Sequence, residues 1–210
     1  MRRLLILVTA LLLLQIPVSA QTDLDRLIDG LQARYGKMRG LAADFTQIYV
    51  DRAGEQGSLL IKRPGKMRWE YTSPEPKLFL TDGRKVYFYV PAEKQMTITP
   101  IRESDDPRTP FLFLLGRSQL RKDFARISKA QEAPVRPGNV VLELVPKKSV
   151  SSFKYGYAEV DPQTAQVHRI ALVNASGGRS DFLLTNLRED YTAEDDKFIL
   201  KPPPGVRVLN

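Results

Sequence analysis

Residues 62–91, KRPGKMRWEYTSPEPKLFLTDGRKVYFYVP, decide how the fold is read. Apolar and polar residues alternate in three short segments. The segments are divided by Arg63-Pro64-Gly65, Ser73-Pro74-Glu75-Pro76 and Asp82-Gly83, residues that punctuate a chain with turns. Successive side chains of a strand point to opposite sides, so this alternation predicts a sheet with one apolar and one wetted face. The reading puts Met67, Trp69, Tyr71, Leu78, Leu80, Val86, Phe88 and Val90 on the apolar face. It puts Lys66, Arg68, Glu70, Thr72, Thr81 and Lys85 on the polar one.

The same pattern continues on both sides. Eleven strand candidates follow from Leu41 onward, at about 41–51, 55–63, 66–72, 77–82, 85–90, 93–101, 123–130, 138–146, 154–160, 167–174 and 180–188. Short turn-rich connections such as Pro91-Ala92, Asp161-Pro162 and Ser176-Gly177-Gly178 favour antiparallel neighbours. Two segments depart from this pattern. Thr22 to Met38 carries Leu24, Leu27, Ile28, Leu31, Tyr35 and Met38 at helical spacing, with Thr22 as the expected N-cap. Arg108 to Lys122 opens with Pro110 and runs through the apolar patch Phe111–Leu115, including Leu114, to Gly116. Both segments are expected to pack on the concave side of one long curved antiparallel sheet.

The first 20 residues read as a signal peptide. Arg2 and Arg3 precede the apolar run Leu4–Ile16, and Val18-Ser19-Ala20 supplies small residues for cleavage before Gln21. Residues 21–210 are then expected to form one exported domain. The chain has no cysteine, so stability must come from buried apolar area and sheet hydrogen bonds. The net charge is +8, but the basic residues are scattered over outer strand positions rather than gathered on a helical stripe. With export, this argues against nucleic acid as a partner.

Enzyme constellations are poor. His168 is the only histidine, which leaves carboxylates to build any zinc site, so no metal or cofactor is expected. Ser151-Ser152-Phe153-Lys154 matches S-x-x-K but lacks the companion motifs of that chemistry. The glycines sit at turns rather than in a phosphate-cradling loop. What remains is the apolar face. It either packs as ordinary core or lines a cavity, and the large adaptable side chains Met67, Trp69, Tyr71, Phe88, Met96 and Phe111 suit either.

Several blocks carry a resemblance. They are Phe45-Thr46-Gln47, Gly57-Ser58-Leu59, the run from Lys62 to Tyr71, Pro76-Lys77-Leu78 and the run from Thr81 to Tyr89. Pro91, Gln95-Met96-Thr97, Thr109-Pro110-Phe111 and Phe198–Val206 follow in order. Together they resemble the outer-membrane lipoprotein carrier family, LolA. That resemblance implies a mainly β fold, an unclosed antiparallel β-barrel of about eleven strands with a helical lid over a hydrophobic cavity. It also implies a job: a periplasmic, monomeric carrier takes acylated lipoproteins from an inner-membrane ABC transporter to an outer-membrane receptor or membrane.

On this reading the acyl-chain cavity is lined by Met67, Trp69, Tyr71, Leu78, Leu80, Phe88, Met96 and Ile98. The lid comprises Leu24, Leu27, Ile28, Leu31, Phe111, Leu114 and Leu115. Arg63 matches the arginine that holds the family's lid shut through backbone carbonyls, a task its five fixed donors suit. A lipid- or glycolipid-sensing periplasmic module of the same fold is the alternative, although that family usually carries a second domain. The outer-membrane receptor of the same pathway would need a lipidated cysteine, which this chain lacks.

Overall fold

The computed structural model describes residues 18–101, 119–147 and 153–209, with side chains from Thr22 onward. Helix α1 (Val18–Lys37) precedes eleven antiparallel strands: β1 (Gly40–Tyr49), β2 (Glu55–Lys62), β3 (Lys66–Ser73), β4 (Lys77–Asp82), β5 (Lys85–Val90), β6 (Gln95–Pro100), β7 (Phe124–Lys129), β8 (Val140–Pro146), β9 (Tyr155–Val160), β10 (Val167–Val173) and β11 (Arg179–Glu189). A one-turn helix, α2 (Leu120–Asp123), leads into β7, and the short β12 (Arg207–Leu209) is the last strand. All twelve strands form one sheet in the order β12-β6-β5-β4-β3-β2-β1-β11-β10-β9-β8-β7. Its two end strands do not pair, so the sheet is open.

The eleven expected strands are therefore present, and β12 is an addition. It lies parallel to β6 and covers that edge. Turn chemistry sets the hairpins. At the β4–β5 turn, Asp82 Oδ1 accepts from the backbone N–H groups of Arg84 and Lys85, each at 2.8 Å, and Gly83 takes φ 93°. The helix starts four residues earlier than the sequence suggests, so Thr22 lies inside α1 rather than capping it.

The core lies between α1 and one face of the sheet. Leu27, Ile28, Leu31, Tyr35 and the following Met38 form a single cluster with Phe45, Leu59, Ile61, Met67, Trp69, Tyr71, Phe79, Leu142, Ile170, Phe182 and Leu184. This is the amphipathic helix expected from the spacing, with its apolar stripe turned to the strands.

The opposite face is also covered over β3 and β4. There the C-terminal segment places a 3-10 turn, Asp195–Phe198, whose Phe198 is buried against the sheet. Strand β4 is buried on both sides as a result.

Candidate functional site

The inner wall is built around Phe45. Its ring centroid lies 4.6 Å from Trp69 and 4.9 Å from Tyr71, both edge-on, and Trp69 meets Phe182 edge-on at 5.1 Å. Edge-to-face packing suits the ring quadrupoles and fixes the four side chains relative to one another. The register explains how they meet. Phe45 stands opposite Gly57 on β2, and Gly57 stands opposite Tyr71 on β3. With no side chain between them, the Phe45 ring lies over the glycine and reaches Tyr71. A Cβ at Gly57 would lie 2.9 Å from Phe45 Cε1 and 2.0 Å from the Glu70 carbonyl oxygen.

One polar pair is set into this wall. The Tyr71 hydroxyl donates to Gln47 Oε1 at 2.7 Å, and both residues are buried. The bond satisfies groups that would otherwise be costly to bury.

Helix α1 is fastened over the wall by polar bonds along its length. At its C-terminal end the Arg63 guanidinium donates to Gly36 O at 2.5 Å and Met38 O at 3.3 Å, and Arg63 N–H donates to Arg39 O at 2.9 Å. These acceptors belong to the last turn and exit of a helix, where carbonyls lack intrahelical partners. In the last turn itself, Tyr35 Oη accepts from Val167 N–H at 2.8 Å, and burial pushes its phenol up to about 12. Arg34 pairs with Glu189 at 2.9 Å and donates to Thr164 O. Toward the N-terminus, Gln32 Oε1 accepts from Leu120 N–H at 2.7 Å, while Arg121 bridges Asp25 and Asp29 at 3.0 Å each.

The structure brings some of the expected site residues together and separates others. Met67, Trp69, Tyr71 and Phe88 share the inner face with Leu24, Leu27, Ile28 and Leu31. Leu78, Leu80, Met96 and Ile98 do not. Trp69 pairs with Phe79, which places Leu78 opposite Glu70 and Leu80 opposite Arg68 on the outer face. Tyr89 and Tyr87 then carry the outer parity on to Met96 and Ile98.

The single-face reading of residues 62–91 is thus corrected for β4, and the placing of Met96 and Ile98 on the inner wall is corrected for β6. The turn between β3 and β4 sets the pairing, and a shift of one residue exchanges the two faces of a strand. Thr81, expected on the polar side, is a fully buried inner residue. Phe111, Leu114 and Leu115 lie outside the described residues. Phe45, Gly57, Phe79 and Phe182 belong to the wall but were not singled out as such. The alternation of Phe45-Thr46-Gln47 was the available signal for the first.

His168 sits half-buried on β10, its Nδ1 without a hydrogen-bond partner. Burial, and then the nearby Arg136 charge, lower its pKa. Among the described residues no group of three or more His, Cys, Asp or Glu is placed to hold a metal, and no helix is long and apolar enough to cross a membrane.

The sequence profile of the outer membrane lipoprotein carrier protein LolA matches residues 36–201. The chain belongs to the LolA family. The outer-membrane lipoprotein carrier protein of Methylococcus capsulatus is 30% identical over 176 residues, spanning 81% of each chain. That of Pseudomonas aeruginosa is 26% identical over 195 residues, spanning 90% of each. A crystal structure of an uncharacterized conserved protein from Thermus thermophilus superposes with a TM-score of 0.53 at 14% identity. It covers 91% of this chain and 98% of that one, a likeness of fold alone.

Proposed function

We propose that this LolA-family chain is a periplasmic carrier that shelters the acyl chains of lipoproteins between α1 and the aromatic wall. It would receive them from an inner-membrane ABC transporter and release them at the outer membrane. Its first 20 residues serve as the export signal, and the mature chain acts as a monomer without a cofactor. The observation that carries this reading is the Phe45–Trp69–Tyr71–Phe182 wall beneath an amphipathic helix latched by Arg63.

Energetics support an exchange of apolar partners. An acyl chain gains roughly 0.8 kcal/mol per buried CH₂, so a long chain is worth on the order of 10 kcal/mol. Leu27, Ile28 and Leu31 each gain about 1.5–3 kcal/mol by staying out of water. A chain that takes their place on the wall, while they turn to cover it, preserves most of that burial. The cost that remains is largely that of parting the polar fastenings, and Arg63 is the one that donates to the carbonyls at the helix end. Arg63→Leu is expected to open the lid and impair transfer.

The test is to isolate the mature chain from the periplasm, identify its bound amphiphiles by mass spectrometry, and measure lipoprotein transfer to outer membranes. Lipoprotein cargo with transfer slowed by Arg63→Leu supports the carrier. Free glycolipid alone supports the lipid-sensing alternative. A transfer rate unchanged in Arg63→Leu removes the latch role.

A further inference from the structure

We propose that Asp195 is the positioning residue for the Arg63 latch, acting from the outer face of the sheet through the two lysines that flank the latch turn. The inference rests on reading α1 as a lid.

Arg63 lies in the turn between β2 and β3, and the residues closing that turn, Lys62 and Lys66, are a cross-strand pair. Two like charges directly opposite each other push their strands apart. Asp195 Oδ1 lies between them, 2.9 Å from Lys62 Nζ and 2.8 Å from Lys66 Nζ. Lys62 Nζ also donates to Ala193 O at 2.8 Å, and Arg68 of β3 donates to Lys197 O at 3.2 Å. Phe198 and Ala193 are buried, which anchors this strap against the sheet.

Upstream, the same strap reaches the exit of the lid helix. Asp190 Oδ1 accepts from Arg39 N–H at 3.2 Å, next to the carbonyl that receives Arg63 N–H. One continuous segment, 190–198, therefore holds both the turn that carries the latch and the helix end that it grips. The lysine partners keep the Asp195 carboxyl low, at about 2, so the bridge stays charged at any pH the envelope meets.

Loss of the Asp195 charge leaves Lys62 and Lys66 facing each other. The turn then spreads, and the guanidinium loses its aim while its own chemistry is intact. The test is hydrogen–deuterium exchange of the segment 31–40 in Asp195→Asn, Asp195→Glu, Arg63→Leu and the double variant Asp195→Asn/Arg63→Leu.

Asp195→Asn is expected to speed exchange about two- to fivefold, the range of exposed ion pairs. Asp195→Glu should restore slow exchange, and Asp195→Asn should add nothing once Arg63 is gone. Unchanged exchange in Asp195→Asn overturns the proposal. So does an acceleration of equal size in the Arg63→Leu background, because it would mean that Asp195 acts on general stability. No cargo enters the measurement, so its outcome is separate from whether the chain carries lipoproteins.

Discussion

Substituting Gly57 with alanine probes the aromatic wall at its tightest point. The added Cβ would stand 2.0 Å from Glu70 O, 2.8 Å from Glu70 C and 2.9 Å from Phe45 Cε1, where ordinary contact begins at 3.4 Å. The first two atoms are backbone and cannot swing aside. Strands β2 and β3 must therefore part locally by roughly 1 Å, which stretches about two ladder hydrogen bonds beyond useful length. Those bonds are worth about 1 kcal/mol each, and overpacking adds about 1–3 kcal/mol. The expected loss is about 3–5 kcal/mol, a large share of the roughly 5–15 kcal/mol of a typical domain. Urea unfolding followed by Trp69 fluorescence measures it, since Trp69 is the chain's single tryptophan. Gly177→Ala is the control. It has open space around its Cβ but φ 89°, so only backbone strain of about 1–2 kcal/mol is expected. A loss at Gly57 no larger than at Gly177 would refute the register and the wall built on it.

The two faces of the sheet should separate in mutagenesis. Leu80→Ala should cost about 2–4 kcal/mol of stability by emptying the outer core, with affinity for a fluorescent fatty acid unchanged. Phe88→Ala should weaken that affinity several-fold, and equal weakening in both variants would sink the assignment of faces. A second expectation concerns acid. Burial raises the Asp181 and Glu132 carboxyls, but hydrogen bonds and charge from Arg179 and Arg169 outweigh it and hold both below the ordinary range. Their stabilisation is then full above about pH 5 and is lost as pH falls further. Asp181→Asn should lower stability at pH 7 and flatten the acid limb of the urea midpoint against pH. His168 works at higher pH. Burial and then Arg136 depress its pKa, so the unfolded chain takes up the proton first and stability erodes as pH falls below about 6.5. His168→Gln should remove the slope that sets in below about pH 6.5, read from the same midpoints.

Much of this architecture was legible in the sequence because it rests on local physics. Alternation marked eleven strands, turn residues divided them, and helical spacing marked the stripe of α1 that the structure buries. The facing of β4 was not legible. Leu78, Phe79 and Leu80 are consecutive apolar residues, so the strand has no polar side to orient it, and the pairing through the preceding turn decides the matter. That ambiguity concealed the packing of the C-terminal segment on the outer face. Phe198 covers the outer side of β4, and the apolar even positions Met96 and Ile98 belong with Leu78 and Leu80. The contacts of Arg63 with the end of α1 were suggested only by the family resemblance. An arginine before a proline in a turn says nothing about which carbonyls it meets, because Gly36 and Met38 are brought to it by the packing of α1. The Asp195 bridge joins positions more than a hundred residues apart in sequence, beyond the reach of any local pattern.

If cargo acyl chains lie against the inner wall, Trp69 reports their arrival directly. Trp69 is fully buried within that wall, in contact with Phe45 and Phe182. A bromine atom on an acyl chain quenches indole fluorescence only at close range. Titration with a lipoprotein bearing brominated acyl chains is predicted to quench Trp69 strongly and saturably, while the unbrominated lipoprotein leaves its intensity high. Saturable binding of the brominated cargo with undiminished Trp69 fluorescence would place the chains away from the inner wall.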